Sequence, residues 1–348
     1  MTGKERLRAA VRMTEPDRVP VFPIAHYFSA APAKISVKTY ATQAEAMAAA
    51  LIGAVERFGW DGVQPGCDVT IEAEAMGSLV QFPEDAPPYV VRPVLRDPAN
   101  LGKLKRPNPL RDGRMSVIVR ATEICAREIG GQVYVGPFLG GPFNFASQLR
   151  GVADLMMDIA DRPEFVETLL DFCTDILIDF GIALIDAGAD AVFLGEALCS
   201  PGMISPRYYA RTIAPRQKRM ISAFNKYNPD CHTAMHICGQ ATPILSTIIE
   251  TGVNIADLDW QVDMVEAKRI CARRMAIRGN LDPAKVLLQA SAGEVYRSAA
   301  DLIRAVGPGG GFILGSGCDV ALTTPFENLD AMMAAAKETT ARKGSAPR

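Results

Sequence analysis

Eight short apolar runs, each followed by a stretch of helical spacing, constrain this chain more than any other feature. They are residues 18–25, 60–64, 132–136, 189–194, 231–238, 253–257, 274–278 and 311–314. Runs this short, rich in Val, Ile and Phe, fit strands buried on both faces. Helical spacing recurs between them, at 42–58, 115–129, 142–187 with a break at Arg162-Pro163, 206–226 and from 326 to 337. Strands that alternate with helices need crossover connections, and crossovers make parallel sheets. Eight such units predict a (β/α)8 TIM barrel, with a doubly wound open sheet as the competing arrangement.

Two stretches stand outside the alternation. Residues 4–13 predict a leading helix packed outside the barrel, ended by Pro16 and Pro20. Residues 78–82 and 89–94 flank a Pro-Glu-Asp-Ala-Pro-Pro segment and predict a small hairpin-like insertion. The expected organisation is one domain over 1–340 and a polar, disordered tail over 341–348.

In a barrel of this kind the active site lies at the C-terminal ends of the strands. Seven of the eight predicted ends carry polar side chains, among them His26, Cys67, Glu196, His236, Asp257 and Cys318. His236 and Cys238 lie two apart on one strand, so both side chains point to the same side. Imidazole and thiolate are ligands that Zn²⁺ favours, and Cys318, after the eighth strand, offers a third. Three protein ligands and one open position are the form of a catalytic zinc site.

Glu196 is either the fourth ligand or an acid/base group, and His26 is either a catalytic substrate contact or a structural histidine. Cys67, Asp257, Asn280 and Asp282 are expected to line the same cofactor cavity. Glu72 and Glu74 read as helix-start carboxylates. His232 begins its strand and therefore belongs at the opposite end. Gly307-Pro-Gly-Gly-Gly311 precedes its strand, so it reads as a turn on the far face, not a phosphate loop.

Composition narrows the partners. Of 348 residues, 22% are charged, with a formal net charge of -2, which argues against a nucleic-acid surface. No apolar run approaches the ~20 residues of a membrane span. The charged start lacks the apolar stretch of a secretory signal, and 8 cysteines scattered through so long a chain read as reduced thiols. A cytoplasmic location is the expectation.

Several short segments, in order, resemble the uroporphyrinogen decarboxylase superfamily. They include Lys4-Glu-Arg-Leu-Arg, Glu15-Pro-Asp-Arg-Val-Pro20, the stretch 68–77, Gly141-Pro-Phe-Asn-Phe-Ala146, His236-Ile-Cys-Gly239, Gly279-Asn-Leu-Asp-Pro283 and Thr324-Pro-Phe-Glu-Asn328. The likeness is to its zinc-dependent corrinoid methyltransferase branch, that of the methylcobalamin:coenzyme M methyltransferases. In that branch His-x-Cys and a distant Cys hold zinc, which carries over to His236, Cys238 and Cys318.

The resemblance implies methyl transfer between a corrinoid, delivered by a separate corrinoid protein, and a thiol or a methylated small molecule. The decarboxylases proper carry an Arg-rich loop after the first strand. Here that place reads Ile24-Ala-His-Tyr-Phe-Ser29, without arginine. A metal-free decarboxylase and a non-catalytic corrinoid-binding protein remain the alternatives.

Overall fold

Helix and strand alternate along the chain as the sequence predicts, and backbone hydrogen bonds close the strands into a ring. The structure is a computed structural model that describes residues 1–66 and 68–341. The expectations for Cys67 and for the tail beyond Ala341 lie outside the described residues. The strands are β1 (Gly62–Val63), β2 (Leu79–Gln81), β3 (Tyr89–Arg92), β4 (Tyr134–Val135), β5 (Phe138–Gly140), β6 (Ala191–Gly195), β7 (His232–Ile237), β8 (Ile255–Leu258), β9 (Ala276–Leu281) and β10 (Phe312–Ser316).

Six run parallel in the order β10-β9-β8-β7-β6-β5, and β1 pairs parallel with β4. The halves β4 and β5 are one barrel strand interrupted at Gly136-Pro137, where proline supplies no N–H to the ladder. The first apolar run makes only the bridge Val21–Leu314. Pro20 and Pro23 remove its donors. Yet Phe22 N–H donates to Leu314 O at 2.8 Å and Asp61 N–H to Val21 O at 2.9 Å. Those bonds join the run to β10 on one side and to the start of β1 on the other. Asp190 N–H donates to Val135 O at 2.7 Å and links the third strand to the fourth. The result is a (β/α)8 barrel with eight parallel staves.

Phe22, Tyr134, Phe193, Ala234, Ile255 and Ile313 fill the barrel interior, and a larger apolar layer lies between strands and helices. The leading helix, Gly3–Val11, is started by a Thr2–Glu5 capping box. It does not lie against the outer wall as expected. Its Leu7 and Ala10 join the interior cluster, so it stoppers the N-terminal end of the barrel. The reason is its apolar face, which the barrel floor buries.

The insertion is the antiparallel hairpin β2–β3. The long helical region divides twice, into Pro142–Arg150, Val152–Asp161 and Pro163–Asp186. The second break is at Arg162-Pro163, as expected; the first falls at Gly151, whose φ of 96° a helix does not allow. Among the described residues no helix is long and apolar enough to cross a membrane.

Candidate metal centre

β7 sends alternate side chains inward: His232 at its start, Ala234, then His236. Cys238 follows where the strand opens at Gly239, whose φ is 77°. β10 ends at Ser316, and Cys318 hangs two residues beyond. Barrel closure brings these rims together. The ligand atoms of His236, Cys238 and Cys318 all lie within 4.8 Å of one another. Cys238 Sγ is 3.3 Å from His236 Nε2.

On its other side His236 Nδ1 lies 3.1 Å from the carbonyl oxygen of Asp257. A carbonyl only accepts, so Nδ1 carries a proton, and in the neutral form of the ring Nε2 is the atom left with a lone pair toward the sulfurs. A backbone or carboxylate acceptor behind a histidine is the usual way to orient a metal ligand. Burial opposes charge on His236. The hydrogen bond with Cys318 and the charge of Asp257 outweigh it and hold the imidazole up at about 9. Hydrogen bonds from Cys238 and His236 push the Cys318 thiol down to about 5 against burial, while Cys238 is driven upward. A thiolate-favouring sulfur, a second thiol and an oriented imidazole are a donor set that suits Zn²⁺.

A buried ion pair holds this arrangement from behind. Arg278 on β9 is 0% exposed and meets both oxygens of Asp257, at 2.9 and 2.8 Å. It also donates to Gln64 Oε1 at 3.2 Å. Its guanidinium sits 4.5 Å from the ring centroids of both Phe22 and Phe193. Cation–π contact offsets part of the lost hydration, although burial still lowers the ease of charging Arg278. The sequence carried one signal for this residue. Arg278 shares the inward alternation of Ala276 within an apolar run, where a charge is out of place.

Beside the triad lies a cavity of about 150 Å³, lined in part by Ile24, His26, Asp68, Phe138, Asp257 and Asp319. His26 is 5% exposed; its Nδ1 is 3.4 Å from Asp319 Oδ2, and its Nε2 has no hydrogen-bond partner. Asp68 is held by Arg114 at 2.6 Å and by the Tyr27 hydroxyl at 2.7 Å. Burial works against its charge, but the Arg114 guanidinium with Thr70 and Tyr27 brings the carboxyl down to about 2.

Other predicted positions fall elsewhere. Glu196 turns away from the triad and does not line the cavity. Its carboxylate accepts the N–H of Phe143 at 3.3 Å and of Asn144 at 2.9 Å, at the start of the helix Pro142–Arg150, and Gln217 Nε2 at 3.1 Å. The N-terminus of that helix engages this carboxylate. Burial still pushes Glu196 up to about 7, against those hydrogen bonds. Glu196 is thus a buried clasp between β6 and a helix, and not a fourth ligand or acid/base group at the metal site.

Asn280 donates to the carbonyls of Asp259 and Val262, at 3.0 and 2.7 Å, and pins a loop. Asp282 caps the helical turn after β9 through Ala284 and Lys285 N–H. Neither lines the cavity, because local backbone donors and acceptors claim both side chains. Glu72 and Glu74 lie in the first turn of the helix Ile71–Ala75, as expected; Glu72 is 0% exposed, and burial raises it to about 7 against a hydrogen bond from Gly140 N–H. Glu74 pairs with Arg114. His232 lies at the floor, as expected, with Nδ1 2.7 Å from the Tyr134 hydroxyl.

A closed parallel barrel with a His–Cys–Cys cluster at its C-terminal mouth is a class defined by fold and site together. The chain matches the uroporphyrinogen decarboxylase (URO-D) family over residues 2–339 and belongs to it. It is similar to the methylcobamide:CoM methyltransferase MtbA of Methanosarcina acetivorans, 29% identical over 340 residues, covering 97% of this chain and 98% of that protein. A methylated-thiol–coenzyme M methyltransferase of Methanosarcina mazei is 26% identical over 285 residues, covering 82% and 74%. Among solved structures, a methyltransferase from Methanosarcina mazei superposes with a TM-score of 0.88 at 26% identity, covering 97% of this chain and 99% of that one.

Proposed function

We propose that this protein is a zinc-dependent methyltransferase that moves a methyl group between a corrinoid, carried by a separate protein, and a small-molecule thiol. The observation that carries the reading is the convergence of His236, Cys238 and Cys318, with His236 oriented by the Asp257 carbonyl. Full-length similarity to methyltransferases that use a methylated corrinoid supports it. His236, Cys238 and Cys318 would hold the zinc, leaving one position for substrate. Bound there, zinc holds a coordinating thiol as thiolate, the nucleophilic form.

The chain's own residues do the rest. Asp257 and Arg278 fix the imidazole. Ile24, Phe138 and Phe193 exclude water from one side of the cavity and strengthen the electrostatics within it. At about 150 Å³ the cavity suits a small acceptor and not a corrin ring, so the corrinoid must present its methyl group from the mouth. In the thiol-methylating direction a carbon–sulfur bond forms. The cobalt–carbon bond breaks with its electron pair left on cobalt, and the thiol proton is lost to solvent.

The test combines metal content with turnover, using free methylcobalamin as donor and 1-propanethiol as acceptor. One zinc per chain and thiol-dependent demethylation of the corrinoid are expected in the wild type. Cys238→Ser and Cys318→Ser should lose both while keeping the circular dichroism of the barrel. Full zinc retention in both variants, or no methyl transfer by the zinc-loaded wild type, would overturn the proposal.

A further inference from the structure

The cavity wall carries information about the charge of the small molecule. Its described polar side chains include three carboxylates, Asp68, Asp257 and Asp319, and among the described residues no lysine or arginine lines it. The cations nearby are already committed. Arg114 is engaged by Asp68 and Glu74. Arg278 lies behind Asp257, wholly buried and paired to it, between two phenylalanine rings. Lys285 lies over the Trp260 ring, outside the cavity lining. His26 Nδ1 faces Asp319 Oδ2 at 3.4 Å, and the His26 backbone N–H donates to Asp319 Oδ1 at 3.3 Å.

An anion entering this space would exchange water for a wall of Ile24, Val69, Phe138 and Phe193 and for the half-exposed carboxylate of Asp319. A buried ion is tolerated only with a counter-charge and hydrogen bonds. A cation has no unshared carboxylate of comparable burial, since Asp68 and Asp257 each hold an arginine and the Asp319 side chain is 40% exposed to screening water. The volume, about 150 Å³, is also below the ~300–1,000 Å³ of sites that enclose drug-sized ligands.

We infer that the sulfur substrate beside the triad carries no charge beyond its reacting sulfur and is small and mainly apolar, a simple alkyl thiol or its methyl thioether, and not a thiol bearing a sulfonate or an ammonium group. The inference rests on the proposed thiol chemistry but concerns the cavity. Nε2 of His26, buried in the lining without a hydrogen-bond partner, offers the substrate one polar contact. The relatives named for coenzyme M would then differ from this chain in the substrate they recognise.

The test is calorimetric titration of the zinc-loaded protein with three thiols of similar size: 1-propanethiol, 2-mercaptoethanesulfonate and 2-aminoethanethiol. Methyl transfer from methylcobalamin to each is measured separately. Propanethiol should bind about 100-fold more tightly than either charged thiol. Asp319→Asn should narrow the gap to the sulfonate about tenfold, by removing a lining carboxylate that His26 faces but no arginine holds. Equal or tighter binding of either charged thiol overturns the inference and leaves the proposed activity standing. Selective binding of propanethiol without methyl transfer sustains the inference and overturns the activity. Binding of none of the three overturns both.

Discussion

His232 and His236 stand four residues apart on the same strand and the same inward face, yet they meet opposite environments. His232 lies at the floor, its ring stacked on Tyr134 at 6.1 Å. Burial, with Arg8 and Arg12 nearby, drives it down to about 4. His236 lies at the mouth, where, against burial, the hydrogen bond with Cys318 and the charge of Asp257 raise it to about 9.

The ends of the barrel differ in the same way. At the floor the buried carboxylates are fully matched: Asp61 takes Arg6 and Arg18, and Asp190 takes Lys4 and Arg8. At the mouth the ligand atoms of His236, Cys238 and Cys318 converge on one another. A strand can thus be structural at one end and chemical at the other, because the chain beyond each end supplies either counter-charges or ligands.

The largest effect expected from breaking this contrast is on the metal. His236→Ala should cut zinc affinity by more than the ~10–100-fold typical of losing an outer-shell partner, with methyl transfer lost alongside. His232→Ala should leave zinc content unchanged. Metal analysis of both variants after the same dialysis measures the difference.

Next in size is the support behind His236. Asp257→Ala strands Arg278 without a counter-charge in a fully buried position, and should destabilise the fold by about 3–5 kcal/mol in urea titration. Adding Arg278→Met should recover most of that loss. If the double variant is no more stable than the single, the ion pair is not the cause.

Glu196 gives a pH signature separate from the metal. Its folded value of about 7 lies above the ordinary 4.5. Its contribution is therefore fully present below 4.5 and lost as pH rises through 7. Of the fall in wild-type stability across that window Glu196 should supply roughly 3 kcal/mol, at about 1.4 kcal/mol per unit, beside a similar share from Glu72. Glu196→Gln, which keeps an acceptor for the Phe143 and Asn144 N–H groups, should flatten the fall by that amount. An unchanged slope would show that Glu196 does not titrate there.

The smallest effect sharpens the floor. His232 has a folded value of about 4 against the ordinary 6.5, so its stability contribution is present above 6.5 and lost as pH falls through 4. His232→Phe should cost about 1 kcal/mol at pH 7, for the Tyr134 hydroxyl it leaves unpaired. It should also remove roughly 2 kcal/mol of the acid-side decline, a figure reduced for partial exposure. Thermal melts between pH 4 and 7 read both.

The barrel was legible because apolar periodicity is a local property. Each run had the length and composition of a strand buried on both faces, and eight of them leave few ways to pack. The triad was legible in part, since His236 and Cys238 share a face by strand geometry alone, and Cys318 follows a strand end. Glu196 was misread. Its place after β6 is where a ligand would sit, but sequence does not show that the N-terminus of the helix Pro142–Arg150 meets it there. Asn280 was misplaced in the same way, by carbonyls 21 and 18 residues back that only loop geometry brings near, whereas the cap that claims Asp282 is local, two and three residues on.

What the sequence determined by itself was the class of fold, the end of the barrel that carries the chemistry, and the likeness to corrinoid methyltransferases. Those follow from period, order and short motifs, which are written along one dimension. Only the tertiary structure decided which carboxylates face the cavity. It also set the helix Gly3–Val11 as a stopper in the floor, and paired Arg278 with Asp257 across neighbouring strands behind His236. The physical reason is that a polar side chain's role is set by the nearest partner in space. In a closed barrel that partner comes from another strand or a distant helix: 21 residues separate Asp257 from Arg278, and 52 and 53 separate Glu196 from the two N–H groups it accepts.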